Sequence, residues 1–153
     1  MSELAFLSPA LAEAGYRSPL QRALAGTELR DLSSLGKVEV RGELDEATLD
    51  GVEVVRITPT RALVLCDAEA APALAARLKA VDVSAALAGL GLQGEQLLRR
   101  LTDLDLDRLP AVGAVAGVRC MVLRDESKFR LFFAQEYADH VAAVVLDAAA
   151  GLR

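Results

Sequence analysis

The chain has 153 residues, 53% of them apolar and 25% charged, and a formal net charge of −5. That balance fits a globular chain with one real core, or two small halves sharing one, and excludes a disordered one. The acidic surplus argues against a nucleic-acid partner, which needs clustered Lys and Arg, and no run of 18 or more apolar residues is present to span a membrane as a helix.

Residues 1–30 read as an N-terminal helical arm. SPALAEAG (8–15) and SPLQRALAG (18–26) each set Ser before Pro and end on Gly. Ser caps the first amides, Pro suits the first helical position and Gly permits the left-handed exit. Ser18 and Gln21 also have capping-box spacing. Helices this short persist only when packed, so the arm either folds back on its own domain or docks on a partner chain. No basic region precedes an apolar one here, so no secretion signal is expected and the expected setting is the cytoplasm.

A single domain, 31–153, follows. GKVEVRG (36–42) alternates Val38 and Val40 with Lys37, Glu39 and Arg41, a half-buried strand. ELDEATLD gives a brief helical turn. VEVVRIT (52–58) and RALVLC (61–66) form a hairpin about Pro59-Thr60. AEAAPALAARLKA (68–80) places Ala71, Leu74, Ala75 and Leu78 on one helical face. The order then returns: a strand at 86–94, a helix at 94–101, a turn-rich segment at 102–113, strands at 117–124 and 129–133 joined by DESK, and a closing helix at 135–152. Trp is absent and aromatics are few, so Ala, Val and Leu must fill the core.

Two stretches mark the repeat. DLSSLGKVEVRGE (31–43) and DVSAALAGLGLQGE (82–95) both open on Asp-x-Ser and close on Gly-Glu. Asp-x-Ser suits a turn that bonds its own backbone ahead of a strand. Gly suits a sharp exit from the strand, and Glu the positive end of a helix. The predicted fold is therefore α+β, a duplicated strand-helix-strand-strand-helix unit (31–80 and 82–150), with antiparallel sheets and helices on one face.

Little in the chain points to catalysis or metal binding. His140 is the single histidine, which removes Ser-His and multi-His sites. DLDLD (103–107) lacks the calcium-loop spacing, and its leucines read as anchors to the core. Gly89, Gly91 and Gly94 match G-x-G-x-x-G, but the first two fall inside a strand rather than at a strand-to-helix turn, so a dinucleotide site is not expected. Cys66 and Cys120 read as small buried hydrophobes. Lys37, Arg41, Arg119 and Arg124 read as solvated strand positions, with Arg124 open to an anion if its face lines a cleft. In FRLFF, Phe129, Leu131 and Phe133 share a core face, whereas Phe132 needs a cover from the arm or another subunit.

These stretches, with GVRCMVLRDESKFRLFFAQEYADHVAAVVLDA, resemble the folate-binding, aminomethyltransferase-like superfamily across roughly residues 29 to 150. That superfamily includes the glycine cleavage T protein, iron–sulfur maintenance proteins and the gamma subunit of heterotetrameric sarcosine oxidase. In the T protein a Tyr-Thr-Gly-Glu-like turn supplies a carboxylate to the pterin. Here that place reads Arg124-Asp125-Glu126-Ser127, without the Tyr, Thr and Gly. Neither cysteine sits in a Lys-Gly-Cys-Tyr-like motif of the maintenance proteins. The resemblance falls nearest the gamma subunit, which implies a non-catalytic companion to larger flavin- and folate-bearing oxidase chains, or a chain that associates with itself. The alternative it implies is a stand-alone tetrahydrofolate binder, with Arg124 and Glu126 as the candidate cofactor-binding residues and no firmly bound cofactor.

Overall fold

The structure, a computed structural model, describes residues 17–153; the first expected helix, 8–15, lies outside them. In chain order the elements are α1 (Gln21–Leu24), β1 (Arg30–Asp31), β2 (Gly36–Arg41), β3 (Glu53–Thr58), β4 (Arg61–Cys66), α2 (Ala71–Leu78), β5 (Val81–Asp82), β6 (Leu87–Gln93), α3 (Glu95–Arg99), β7 (Ala111–Val115), β8 (Val118–Asp125), β9 (Lys128–Ala134) and α4 (Ala138–Ala150). The fold is α+β with antiparallel sheets. One sheet has the order β1-β6-β9-β8-β7 and the other β3-β4-β2-β5.

The residues alternate along each strand between two cores. Leu90, Val122, Leu131, Phe129 and Phe133 face outward from the five-stranded sheet and pack on α4, with Leu20 and Leu24 from the N-terminal side. Val38, Val40, Val64 and Cys66 face outward from the four-stranded sheet onto Ala71, Leu74 and Ala75 of α2. The inner faces meet each other: Val55, Leu63 and Leu65 of one sheet lie against Met121, Leu123 and Phe132 of the other. Each sheet thus carries its helix on one face and uses the other face to bury its partner. The cover that Phe132 requires is the second sheet, which leaves it 1% exposed, and not the arm or another chain.

The Asp-x-Ser stretches hold the sheets together by crossing between them. Asp31 pairs with Leu90 of β6, and Asp82 pairs with Val38 of β2, so each half supplies an edge piece to the other half's sheet. The local geometry matches on both sides. The Ser33 and Ser84 amides donate to the Asp31 and Asp82 carboxylates, each at 3.0 Å. Ser33 Oγ accepts the Gly89 amide at 3.1 Å, and Ser84 Oγ accepts the Lys37 amide at 2.9 Å. Gly42 and Gly94, at φ 101° and 102°, leave their strands in the mirror-β region that only glycine adopts without strain. Each donates its amide to a hairpin turn, Gly42 to the Thr60 carbonyl and Gly94 to the Ser127 carbonyl. With β7 set aside, the two sheets have the same strand order.

At the matching inner positions of β2 and β6 stand Lys37 and Gly89. Lys37 is fully buried, which corrects the solvated reading of its strand face: that face is covered by the second sheet. Its ammonium donates to the Ser33 carbonyl at 2.7 Å and to the Ser84 carbonyl at 3.1 Å, one from each crossing stretch. Gly89 has no room for a side chain, since a Cβ there would lie 2.8 Å from Phe132 and 2.9 Å from the Leu32 backbone.

Several further sequence expectations meet the structure in detail. Ser18 accepts the Leu20 amide at its side chain, at 3.1 Å, rather than capping through the box with Gln21. Residues 111–113, expected within a turn-rich segment, belong instead to β7, the edge partner of β8. The two cysteines are free and buried.

Two measurements test this core. Burial pulls the Lys37 pKa from 10.5 to about 8, partly offset by the charges of Asp31 and Asp82. Between those values the unfolded chain binds more protons than the folded one, so stability rises with pH. Urea unfolding is expected to show the wild type gaining up to about 3 kcal/mol over Lys37→Met between pH 8 and 10.5. Gly89→Ala is expected to destabilise the fold by about 1–3 kcal/mol through overpacking, read as a fall of several degrees in Tm.

Candidate functional site

The two ends of the space between the sheets differ. At one end Arg130 of β9 reaches across to Glu53 of β3, donating from Nη1 to Oε2 at 2.7 Å and from Nη2 to the other oxygen. This two-pronged pair ties the sheets, and the guanidinium holds the Glu53 carboxyl below the usual carboxylate range. Beside it lies a cavity of ≈ 380 Å³ lined by Arg30, Glu53, Arg124, Lys128, Phe129 and Arg130 among others.

Arg124 sits at this cavity, at the end of β8, with its guanidinium already engaged. Nη2 donates to Glu95 Oε2 at 2.9 Å, Nε to the Glu126 carbonyl at 2.9 Å and Nη1 to the Leu106 carbonyl at 3.2 Å. Its Cζ also lies 5.3 Å from the centre of the Phe129 ring. Glu95 opens α3 directly after the positive-φ Gly94, so its carboxylate is delivered by the sharp exit from β6. Hydrogen bonds from Arg99 first and Arg124 second hold that carboxyl below its ordinary pKa.

Glu126 occupies the left-handed position of the β8–β9 turn, at φ 57°, and is exposed. The structure therefore brings Arg124 and Glu126 together, but through the Glu126 carbonyl and not its carboxylate. The sequence pattern had not singled out Glu95, Glu53 or Arg130. The signal for Glu95 was present in the repeated Gly-Glu; the cross-sheet pair had none, because it joins residues 77 apart in sequence.

The other candidates are placed as structural parts. His140 lies exposed on α4 with Nε2 2.9 Å from the Ala116 carbonyl. Asp105 accepts the Asp107 amide, and Leu106 is buried, so DLDLD is a turn pinned by its leucine. Gly89 and Gly91 lie inside β6 against β1. Among the described residues no helix is long and apolar enough to cross a membrane.

No protein-family profile matches the chain. An aminomethyltransferase of Desulforamulus reducens is 35% identical over 82 residues, which take in 47% of this chain and 22% of the relative. The chain thus spans under a quarter of that relative's length. Among solved structures, a chain of the heterotetrameric sarcosine oxidase from Corynebacterium sp. U-96 superposes with a TM-score of 0.70 at 19% identity, covering 89% of this chain and 95% of that one. Aspartokinase alpha and beta subunits give a TM-score of 0.51 at 14% identity, over 86% of this chain and 98% of the other. The sequence likeness to part of an aminomethyltransferase and the fold likeness to a sarcosine oxidase chain agree with the aminomethyltransferase-like resemblance. The fold is similar to that of a similarly sized chain of heterotetrameric sarcosine oxidase.

Because Arg124 ties Glu95, the Leu106 carbonyl and the β8–β9 turn together, Arg124→Ala is expected to lower Tm, while Glu126→Ala leaves it unchanged. Thermal unfolding of the two variants, followed by circular dichroism, checks the contrast.

Proposed function

We propose that this chain is a non-catalytic accessory subunit resembling the gamma subunit of heterotetrameric sarcosine oxidase. In this reading it supports oxidative demethylation and one-carbon transfer performed by larger flavin- and folate-bearing chains, in the cytoplasm. The observation that carries it is the fold agreement with a chain of nearly the same length in such an oxidase, at a TM-score of 0.70. The engagement of Arg124 with Glu95, Leu106 and Glu126 supports the same reading, since a guanidinium donating to three partners has little left for a ligand. We read the two halves, 31–80 and 82–150, as copies of one unit, supported by the reciprocal placement of Asp31 and Asp82.

The alternative, a stand-alone tetrahydrofolate binder, rests on the cavity where Arg30, Arg124, Lys128 and Arg130 stand among Glu28, Glu53 and Asp125. Calorimetric titration of the purified chain with 5-formyltetrahydrofolate separates the two. No saturable heat is expected from the isolated chain. When the tagged chain is expressed with candidate flavin-bearing oxidase chains, a co-purifying flavoprotein that oxidises sarcosine is expected. One-to-one folate binding, weakened in Arg124→Ala, is the outcome that sinks the subunit reading in favour of the folate binder.

A further inference from the structure

The opposite end of the inter-sheet space is open. Strand β2 runs outward there through Lys37, Glu39 and Arg41, with inner side chains that pass from buried to exposed. Strands β4 and β8 bring Arg61 and Arg119 to the same rim. Between the sheets lies a cleft of ≈ 520 Å³ with an apolar lining that includes Leu63, Val83, Leu87, Val112, Met121 and Phe132. Tyr137, 46% exposed, stands at its side. A second depression, lined by Arg41, Gly42, Thr58 and Thr60, shares Arg61 and Arg119 with the cleft. Two arginines therefore stand where an apolar space meets a polar one.

Their electrostatic states differ. Arg61 donates to Glu39 Oε1 at 2.7 Å, and Arg41 lies 3.6 Å from the same oxygen. Arg119 is exposed and has no hydrogen-bond or ion-pair partner among the described residues. Three arginines against Glu39 and Glu136 leave an excess of one positive charge around the two depressions, in a chain whose net charge is −5. The size falls in the range of small-ligand sites, roughly 300–1,000 Å³, with the expected apolar lining and few polar groups. The lining also includes Cys120, but burial pushes its thiol up to about 12, so it offers no thiolate and the cleft is suited to holding a ligand rather than attacking one.

We propose that this cleft binds a small amphipathic anion, its hydrocarbon or aromatic body between the sheets and its carboxylate or phosphate facing Arg119. The planar guanidinium presents a fork of donors that matches either oxyanion, and an apolar body there replaces water against Leu87, Val112 and Met121. This site lies at the end of the sandwich away from Arg124 and Glu126, and it does not depend on the subunit reading.

The probe is 1-anilinonaphthalene-8-sulfonate, an apolar aromatic with one anionic group, titrated into the full chain. Saturable one-to-one fluorescence enhancement is expected, reversed by octanoate at a much lower concentration than by octan-1-ol. Arg119→Ala is expected to raise the octanoate concentration needed about tenfold, the loss of one strong charge-assisted contact, while leaving octan-1-ol unchanged. Val112→Phe, which fills the cleft, is expected to abolish probe binding. Octyl phosphate, run beside octanoate, separates a phosphate head from a carboxylate one. The exposed, unpartnered Arg119 keeps the first variant informative if the second fails to fold. Absence of saturable probe binding, octanoate displacement unaltered in Arg119→Ala, or equal displacement by octan-1-ol and octanoate in the wild type would each overturn the proposal.

Discussion

One buried ammonium organises this molecule. Lys37 stands between two sheets with no carboxylate of the described residues in contact, and it donates to the carbonyls of Ser33 and Ser84 from the two stretches that cross between sheets. A buried charge needs polar partners directed at it, and the two carbonyls converging from opposite halves supply them, with the charges of Asp31 and Asp82 adding to their effect. The convergence works in the other direction too. Both carbonyls belong to tight Asp-x-Ser turns whose amides are already committed to Asp31 and Asp82. The Lys37 ammonium supplies the donor for the two carbonyls that those turns direct toward the interior. Position, charge and chain path are thus determined together.

The space around that lysine explains its partner position. Gly89, its counterpart on β6, gives up its side chain because Phe132 and the Leu32 backbone press on it. One long side chain and one missing side chain fill a space that two equal ones would not. Beyond this point the inter-sheet layer becomes asymmetric: Arg130 and Glu53 close one end, and the other opens into an apolar cleft rimmed by arginines.

Much of the fold was legible because the longer strands are apolar or alternating runs bounded by turn residues and the longer helices have a clear apolar face. The hairpin at Pro59-Thr60, the strand holding Leu90 and Leu92, and the helix carrying Val141 and Val145 follow from local pattern alone. What was not legible depends on what lies across the layer. Lys37 alternates with Val38 and Val40 in the manner of a solvent-facing residue, and nothing local announces a second sheet over it. Phe132 needed a cover, but the sequence does not say which element provides it. Strand β7 hid behind Pro110 and Gly113, where the Leu104 side chain packs directly over the glycine. At the candidate site, Arg124 was visible as a cation on a strand, whereas its capture by Glu95 needed the turn after Gly94 to be placed in space. The three rim arginines come from β2, β4 and β8, and only tertiary structure brings them to one end.

The exchange of edge pieces also bears on how the chain reaches this state. Leu32 pairs with Gly89, and the Ser84 side chain meets Lys37 across 47 residues of sequence. During synthesis, the first half emerges with β2 lacking β5 on one side and Lys37 lacking the Ser84 carbonyl. It cannot complete its sheet until residues 82–84 have left the ribosome, and β1 waits longer still for β6. Closure across such separations must precede the contacts that reward it. The nascent first half therefore carries an unpaired strand edge and an exposed apolar sheet face for most of its synthesis, the condition under which chains are prone to pair with the wrong neighbour.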